Sequence, residues 1–271
     1  MDALLTLPLV LAVVLVELAL GGTFVLWLLD RRGEAPGGFL KLTAAVNALA
    51  AAAAVGLAPA LPRGPSAERI GLDAGPLASF GQALVVVAVL MAVLLLFTFL
   101  PFRQPRNIAG IVAIVAGALT LGVAAVARPA PQAPYDVFAL LAPPLGALAL
   151  GGADSAMLLG HWYLVTPKLS TAPLRNASLV VVVAVVLQLV VVLATVMRGE
   201  LSGTTQTGLV VAIGIRVGVG LLMTLGVAIA AWWTARMNTQ SSTGLLYVGL
   251  GTALAGEISA RVLFFLTGAA V

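Results

Sequence analysis

The sequence predicts an all-α integral membrane protein, a single transmembrane domain over residues 1–271 built as a bundle of about eight helices. Three observations carry this expectation. Of the 271 residues, 61% are hydrophobic and only 9% charged, and the mean hydropathy is +1.14, far outside the usual composition of a soluble domain. Apolar runs of about 20 residues, the length needed to cross a bilayer, recur from one end of the chain to the other. The segments between them are short, the longest being PRGPSAERIGLDAGPL at 62–77, which leaves no room for an extramembrane domain.

The first run, 3–29, is too long for a signal peptide and lacks a basic leader, so it reads as the first membrane helix. It carries Glu17 close to its middle. The second, 38–61, is rich in Ala, and small residues let helix backbones approach closely in lipid. The third (78–100) and sixth (177–197) are almost uniformly bulky and aliphatic, which predicts faces turned to lipid or to a partner subunit. The fourth (107–127) has frequent Gly. The fifth (137–165) contains PPLGALALGGADSAMLLGHWYLV, in which Asp154 and His161 are two helical turns apart and share a face. Trp162 and Tyr163 follow where an interfacial aromatic belt belongs, and Pro167 is expected to end that helix. The seventh (208–234) holds Arg216 and a GxxxG pair, Gly214 and Gly218. The eighth (244–268) holds Glu257 and Arg261, four residues apart and so stacked on one helix face. Asn47, Gln82 and Gln188 are neutral polar residues that helix contacts can satisfy.

Charge gives the expected orientation. The odd-numbered loops hold Arg31, Arg32, Lys41, Arg103, Arg106, Lys168, Arg175 and Arg236, against Arg63, Arg69, Arg128 and Arg198 in the even-numbered ones. The positive-inside rule then places the odd loops in the cytoplasm and both termini outside, in a bacterial cytoplasmic membrane. The net charge of +4 therefore reports topology. Nucleic-acid binding is not indicated, because basic tracts, zinc-ligand spacings and stacking aromatics are all missing from the sequence. With no cysteine, an iron–sulfur cluster, a thiolate-held zinc or a covalently attached haem has no ligands here. No nucleophile elbow, phosphate loop or dinucleotide fingerprint is present either.

Six ionisable side chains fall inside the spans: Glu17, Asp154, His161, Arg216, Glu257 and Arg261. Such groups are costly in lipid and are functional candidates by default. One reading is structural, with Glu257–Arg261 joined by Arg216 and Glu17 to staple helices one, seven and eight. The favoured reading starts from three acids facing two arginines. A carboxyl able to change its protonation state in a water-poor site suits proton handling. Glu17 and Glu257 are then the proton-handling groups, and Arg216 and Arg261 hold the carboxylates. His161 is open to three readings: an interfacial residue, a hydrogen-bond partner for a quinone carbonyl with Trp162 and Tyr163 flanking the headgroup, or an axial ligand to haem b. As the single histidine, it would need Met157, Met223 or a partner subunit as a second haem ligand.

The Ala255-Gly256-Glu257-Ile258, Arg261 and Phe264-Phe265 pattern of the last run resembles the final helix of the membrane-anchor subunits of dimethyl-sulfoxide and polysulfide reductases. Glu17 with Gly21-Gly22-Thr23-Phe24, then Asp30 and Arg31, is similar to the first helix of that group. The resemblance implies a quinol-binding subunit without metal centres of its own, passing electrons and protons to a redox partner. The expectation is thus a respiratory or electron-transfer membrane subunit binding quinone between helices one, five, seven and eight, within a hetero- or homo-oligomer in membrane lipid. Two rival expectations stand beside it. In a small-molecule or proton-coupled transporter the same charges line a path, with Gly151-Gly152 beside Asp154 as the nearest thing to a helix break. In an assembly subunit they only hold helices together.

Overall fold

The computed structural model describes residues 2–129, 133, 135–166, 169–201, 206–237 and 239–271. Among these the regular structure is entirely helical. The long helices are α1 (Asp2–Arg32), α2 (Gly37–Leu57), α3 (Ala74–Thr98), α4 (Arg103–Val126), α5 (Val137–Val165), α6 (Ala172–Met197), α7 (Thr207–Thr234) and α8 (Thr239–Thr267). All eight coincide with the predicted runs and are long and apolar enough to cross a membrane.

The starts differ from expectation by a few residues, for local reasons. Helix α3 begins before 78 because Asp73 caps it, its Oδ1 accepting the Gly75 amide at 2.9 Å, which satisfies one of the free N–H groups of the first turn. Helix α6 begins ahead of 177 with Pro173 in its first turn, where the missing amide costs nothing. Pro143 and Pro144 lie inside α5 without ending it. Pro167 falls outside the described residues; α5 stops at Val165, and the Thr166 amide donates to the Trp162 carbonyl at 2.9 Å. Helix α7 is continuous, but its middle, Ile215–Met223, is π-helical.

Helix α1 is the axis of the bundle. In the most apolar stretch of each helix, 78% is buried for α1 and 61% for α5 and α8, against 28% for α3 and α7. Helix α3 keeps the exposed face that the sequence suggests. Helix α6 does not expose itself all round: Leu174, Val181, Val185 and Gln188 face inward, a face its uniform aliphatic composition conceals.

Backbone contact fixes the inner helices. A Cβ on Gly21 would lie 1.7 Å from the Ala147 carbonyl oxygen, and one on Gly151 would lie 2.3 Å from the Gly22 nitrogen, so α1 and α5 touch main chain to main chain. In the same way, a Cβ on Gly220 would fall 2.4 Å from the Gly256 Cα, which welds α7 to α8. Such contacts supply the van der Waals packing that replaces the hydrophobic effect in lipid.

Ion pairs close both ends. At one end the Arg106 guanidinium grips Asp30 with two hydrogen bonds of 2.7 Å. At the other, Arg198 grips Asp136 with two of 2.9 Å, and Arg128 donates to the Gly268 carbonyl at 2.9 Å. The hydrogen bonds from Arg198 hold the Asp136 carboxyl below the usual carboxylate range, while partial burial opposes them. Burial lowers the Arg128 guanidinium from its ordinary value, against the pull of Asp136.

Candidate functional site

The charge centre is assembled from five helices. Glu257 and Arg261 are one turn apart on α8, and Arg261 Nη2 lies 3.3 Å from Glu257 Oε2. The Gly220–Gly256 contact draws α7 against this face, and Arg216, one turn before Gly220, reaches Glu257 Oε1 at 2.8 Å. That arginine lies in the π-helical stretch, and widened turns of this kind recur at functional sites. Gln188 of α6 donates its amide to the same Oε1 at 2.7 Å. From α1, Glu17 Oε1 sits 3.1 Å from Arg261 Nε.

Helix α5 contributes space. A Cβ at Gly146 would lie 2.5 Å from Glu257 Oε2 and 3.0 Å from Glu17 Oε1, so both carboxylates press against a bare Cα. One turn earlier the Ala142 carbonyl accepts from Arg261 Nη2 at 3.4 Å. The Phe264 ring lies 5.4 Å from the same guanidinium, in reach of a cation–π attraction. Glu17 and Arg261 are 0% exposed, Glu257 1% and Arg216 2%.

Two carboxylates and two guanidiniums balance in charge, yet the two acids are held differently. Glu257 accepts from Arg216, Gln188 and Arg261. Glu17 has Arg261 nearby, but neither of its oxygens accepts a well-formed hydrogen bond. Arg261 Nε and Nη1, Arg216 Nε and Gln188 Oε1 are likewise without a hydrogen-bond partner. Buried polar groups are normally paired, so this many open valences in one fully enclosed spot set it apart from the rest of the core.

Of the six ionisable residues singled out in the sequence, Glu17, Arg216, Glu257 and Arg261 meet here. Asp154 does not join them: it is buried further along α5, with Oδ2 unpartnered. His161 is exposed near the helix end, its Nδ1 3.1 Å from the Tyr247 hydroxyl. Trp162 lies over Gly38, where a Cβ would come within 2.2 Å of its ring. Tyr163 is buried and donates its hydroxyl to the Ser170 carbonyl. Met157, one turn before His161, shares its helix and so cannot take the opposite axial position on one iron. Among the described residues no group of three His, Cys, Asp or Glu side chains is placed to hold a metal.

Two members of the centre escaped the sequence reading. Gln188 is the one polar residue deep in an aliphatic helix, and that isolation was its signal. Gly146 carried none. Asn47, also polar inside a span, donates to Thr23 Oγ1 at 3.2 Å, and that hydroxyl points on to Met91 Sδ at 3.1 Å. In comparisons with protein-family models, curated proteins and solved structures, nothing matches the chain.

Proposed function

We propose that this chain is a multi-pass membrane protein that takes up and releases protons at the Glu17–Glu257 centre, as the quinol-linked subunit of an electron-transfer complex in a bacterial cytoplasmic membrane. The observation that carries the proton reading is the inequality of the two acids: Glu257 is fixed by three donors, whereas Glu17 is enclosed with no hydrogen bond. Glu257 serves as the permanent anion and Glu17 as the group that changes state. Arg261 links them. With Glu17 ionised, its guanidinium closes on Glu17 Oε1; with Glu17 protonated, it turns wholly to Glu257 and the Ala142 carbonyl. Protonating Glu17 therefore takes the centre from balanced charge to a net +1, with both guanidiniums sharing Glu257 and no carboxylate left unpaired.

The quinol part of the reading is supported by a lipid-facing groove of about 270 Å³ between α1, α5 and α6. Phe24, Leu28, Leu148 and Leu187 line it, with Arg32 and Asn176 at its polar end, where the Asn176 amide also donates to Glu34 at 3.0 Å. Leu148 and Leu187 of the groove lie within one turn of Gly146 and Gln188 along α5 and α6. The volume is close to the lower bound of about 300 Å³ for small-ligand pockets, which suits a ring entering from the lipid. The groove lies between α1, α5 and α6, whereas the sequence suggests a position between helices one, five, seven and eight.

Extraction of the purified protein should release a quinone in near-stoichiometric amount, and Glu17→Gln should abolish quinol-dependent turnover in membranes while leaving insertion intact. Unchanged turnover in that variant removes the proton role. A proton-coupled carrier is the second reading, favoured by the π-helical interruption of α7 at Arg216, because transporter sites gather at irregular mid-membrane helices. Absence of any bound quinone together with pH-driven solute uptake would select it.

A further inference from the structure

Asp154 is the one buried acid among the described residues that neither the charge centre nor an ion pair takes up. It is 7% exposed, its Oδ2 has no hydrogen-bond partner, and no ion pair among the described residues includes it. The ionisable groups of the helices packed around α5 are committed elsewhere or, like Arg31 and Arg32 of α1, exposed at the helix end. On α1, Glu17 belongs to the centre and Asp30 is taken by Arg106. On α8, Glu257 and Arg261 belong to the centre. At the start of α6, Arg175 stacks on Trp232 at 5.3 Å. On α4, Arg103 and Arg106 are both drawn to Asp30. Lys41 of α2 lies over the Phe99 ring at 5.0 Å. No group among the described residues stabilises Asp154 as a fixed anion, and a packing role needs no carboxyl.

Its position on α5 supplies a use. Gly146, which touches both centre carboxylates, precedes Asp154 by eight residues, and His161 follows it by seven. At 1.5 Å per residue these steps are about 12 and 10 Å along one helix. Asp154 and His161 share a face. His161 is exposed and bonded to the Tyr247 hydroxyl, at the end of the bundle where Asp30, Arg103 and Arg106 also lie.

We infer that α5 carries a proton-entry route to the centre, from the exposed His161–Tyr247 pair through Asp154 to Glu17. The inference rests on the proton reading given above and adds its direction: protons arrive from the more basic end of the bundle. Each step is several hydrogen bonds long, so the route requires a file of waters rather than a single one, with the open Oδ2 valence of Asp154 as its docking point. His161 accepts a proton from bulk solvent, passes one through water to Asp154, and Asp154 passes one through water to Glu17. Every transfer leaves the donor ready to be reprotonated from the side of His161.

Time-resolved infrared spectroscopy of the full chain in nanodiscs after a pH jump tests this. The carboxyl band of Glu17 is identified by its loss in Glu17→Gln. Asp154→Asn should slow the rise of that band about a hundredfold, the lower end of what a positioned proton-transfer group contributes, without changing its final height. Asp154→Glu should keep most of the rate, which separates proton transfer from a folding defect. An unchanged rate in Asp154→Asn overturns the route and leaves the proton reading of Glu17 standing. A wild-type spectrum identical to that of Glu17→Gln overturns both.

Discussion

Arg216 and Glu257 meet at 2.8 Å with 2% of each side chain exposed, and they meet because neither Gly220 nor Gly256 has a side chain. A Cβ on Gly256 would lie 2.2 Å from the Gly220 Cα, closer than any non-bonded contact allows. Gly220→Ala or Gly256→Ala must therefore push α7 from α8 and pull Arg216 away from its acid. The expected loss is at least the roughly 1–3 kcal/mol of ordinary overpacking. Gly214 and Gly218 have nothing within 4 Å of a built Cβ, and alanine there should leave the unfolding temperature of the detergent-solubilised protein within error. Equal effects at all four positions would refute the contact.

Removing Glu257 strands Arg216 and leaves Arg261 with Glu17 alone. Glu257→Ala should cost about 3–5 kcal/mol, the range for breaking a buried pair from one side. Glu257→Gln should cost less, because the amide oxygen can still accept from Arg216. Adding Arg216→Gln to Glu257→Gln should recover part of the loss, with a coupling of about 0.5–3 kcal/mol for residues in one network. Chemical unfolding in mixed micelles reads all three, and simple additivity would mean that the two side chains do not interact.

Acid should loosen the end of the bundle that Asp136 holds. Its folded-state value is depressed by the hydrogen bonds from Arg198, so its stabilising contribution is fully present above the unfolded value of about 3.9. The contribution is lost as pH falls through the lower folded value. Wild type should therefore outlast Asp136→Asn in thermal unfolding at neutral pH, and the difference should shrink progressively as pH falls below about 3.9. Arg198 is 38% exposed in its side chain, so added salt should also narrow the gap. A difference independent of pH would show that the pair contributes nothing through charge.

Helix count and placement were legible because run length alone decides them: a segment of 20 apolar residues has few alternatives. The Glu257–Arg261 pair was legible from its spacing of four, and the meeting with Glu17 and Arg216 from the cost of leaving charges alone in lipid. What escaped depends on facing, which a helix apolar on every side does not encode. Helix α6 reads as lipid-exposed until Gln188 is seen to turn inward. Glycine was equally opaque: with 29 in the chain, the GxxxG pair Gly214 and Gly218 drew attention, whereas the contact that builds the centre joins Gly220 to Gly256 on another helix. The leftover of three acids over two arginines was visible in the sequence, but which acid stands apart was not. Asp154 is set aside by the packing of α5 against its neighbours.

Gln188 offers the sharpest separation of a structural from a chemical role. Its amide donates to Glu257 Oε1 at 2.7 Å, while its own Oε1 finds no partner. Gln188→Leu removes a hydrogen bond to a charged group, worth about 1.5–3 kcal/mol, and also removes an unsatisfied buried oxygen, which returns part of that. The net change in unfolding free energy should therefore be small, about 1 kcal/mol. The chemistry should change more. With one of its three donors gone, Glu257 leans on Arg261, and Arg261 is then less free to close on Glu17. The infrared carboxyl band of Glu17 should change in Gln188→Leu, because the guanidinium beside it is drawn towards Glu257. A band left unchanged, alongside a stability loss of several kcal/mol, would make Gln188 a helix staple and separate it from the proton centre.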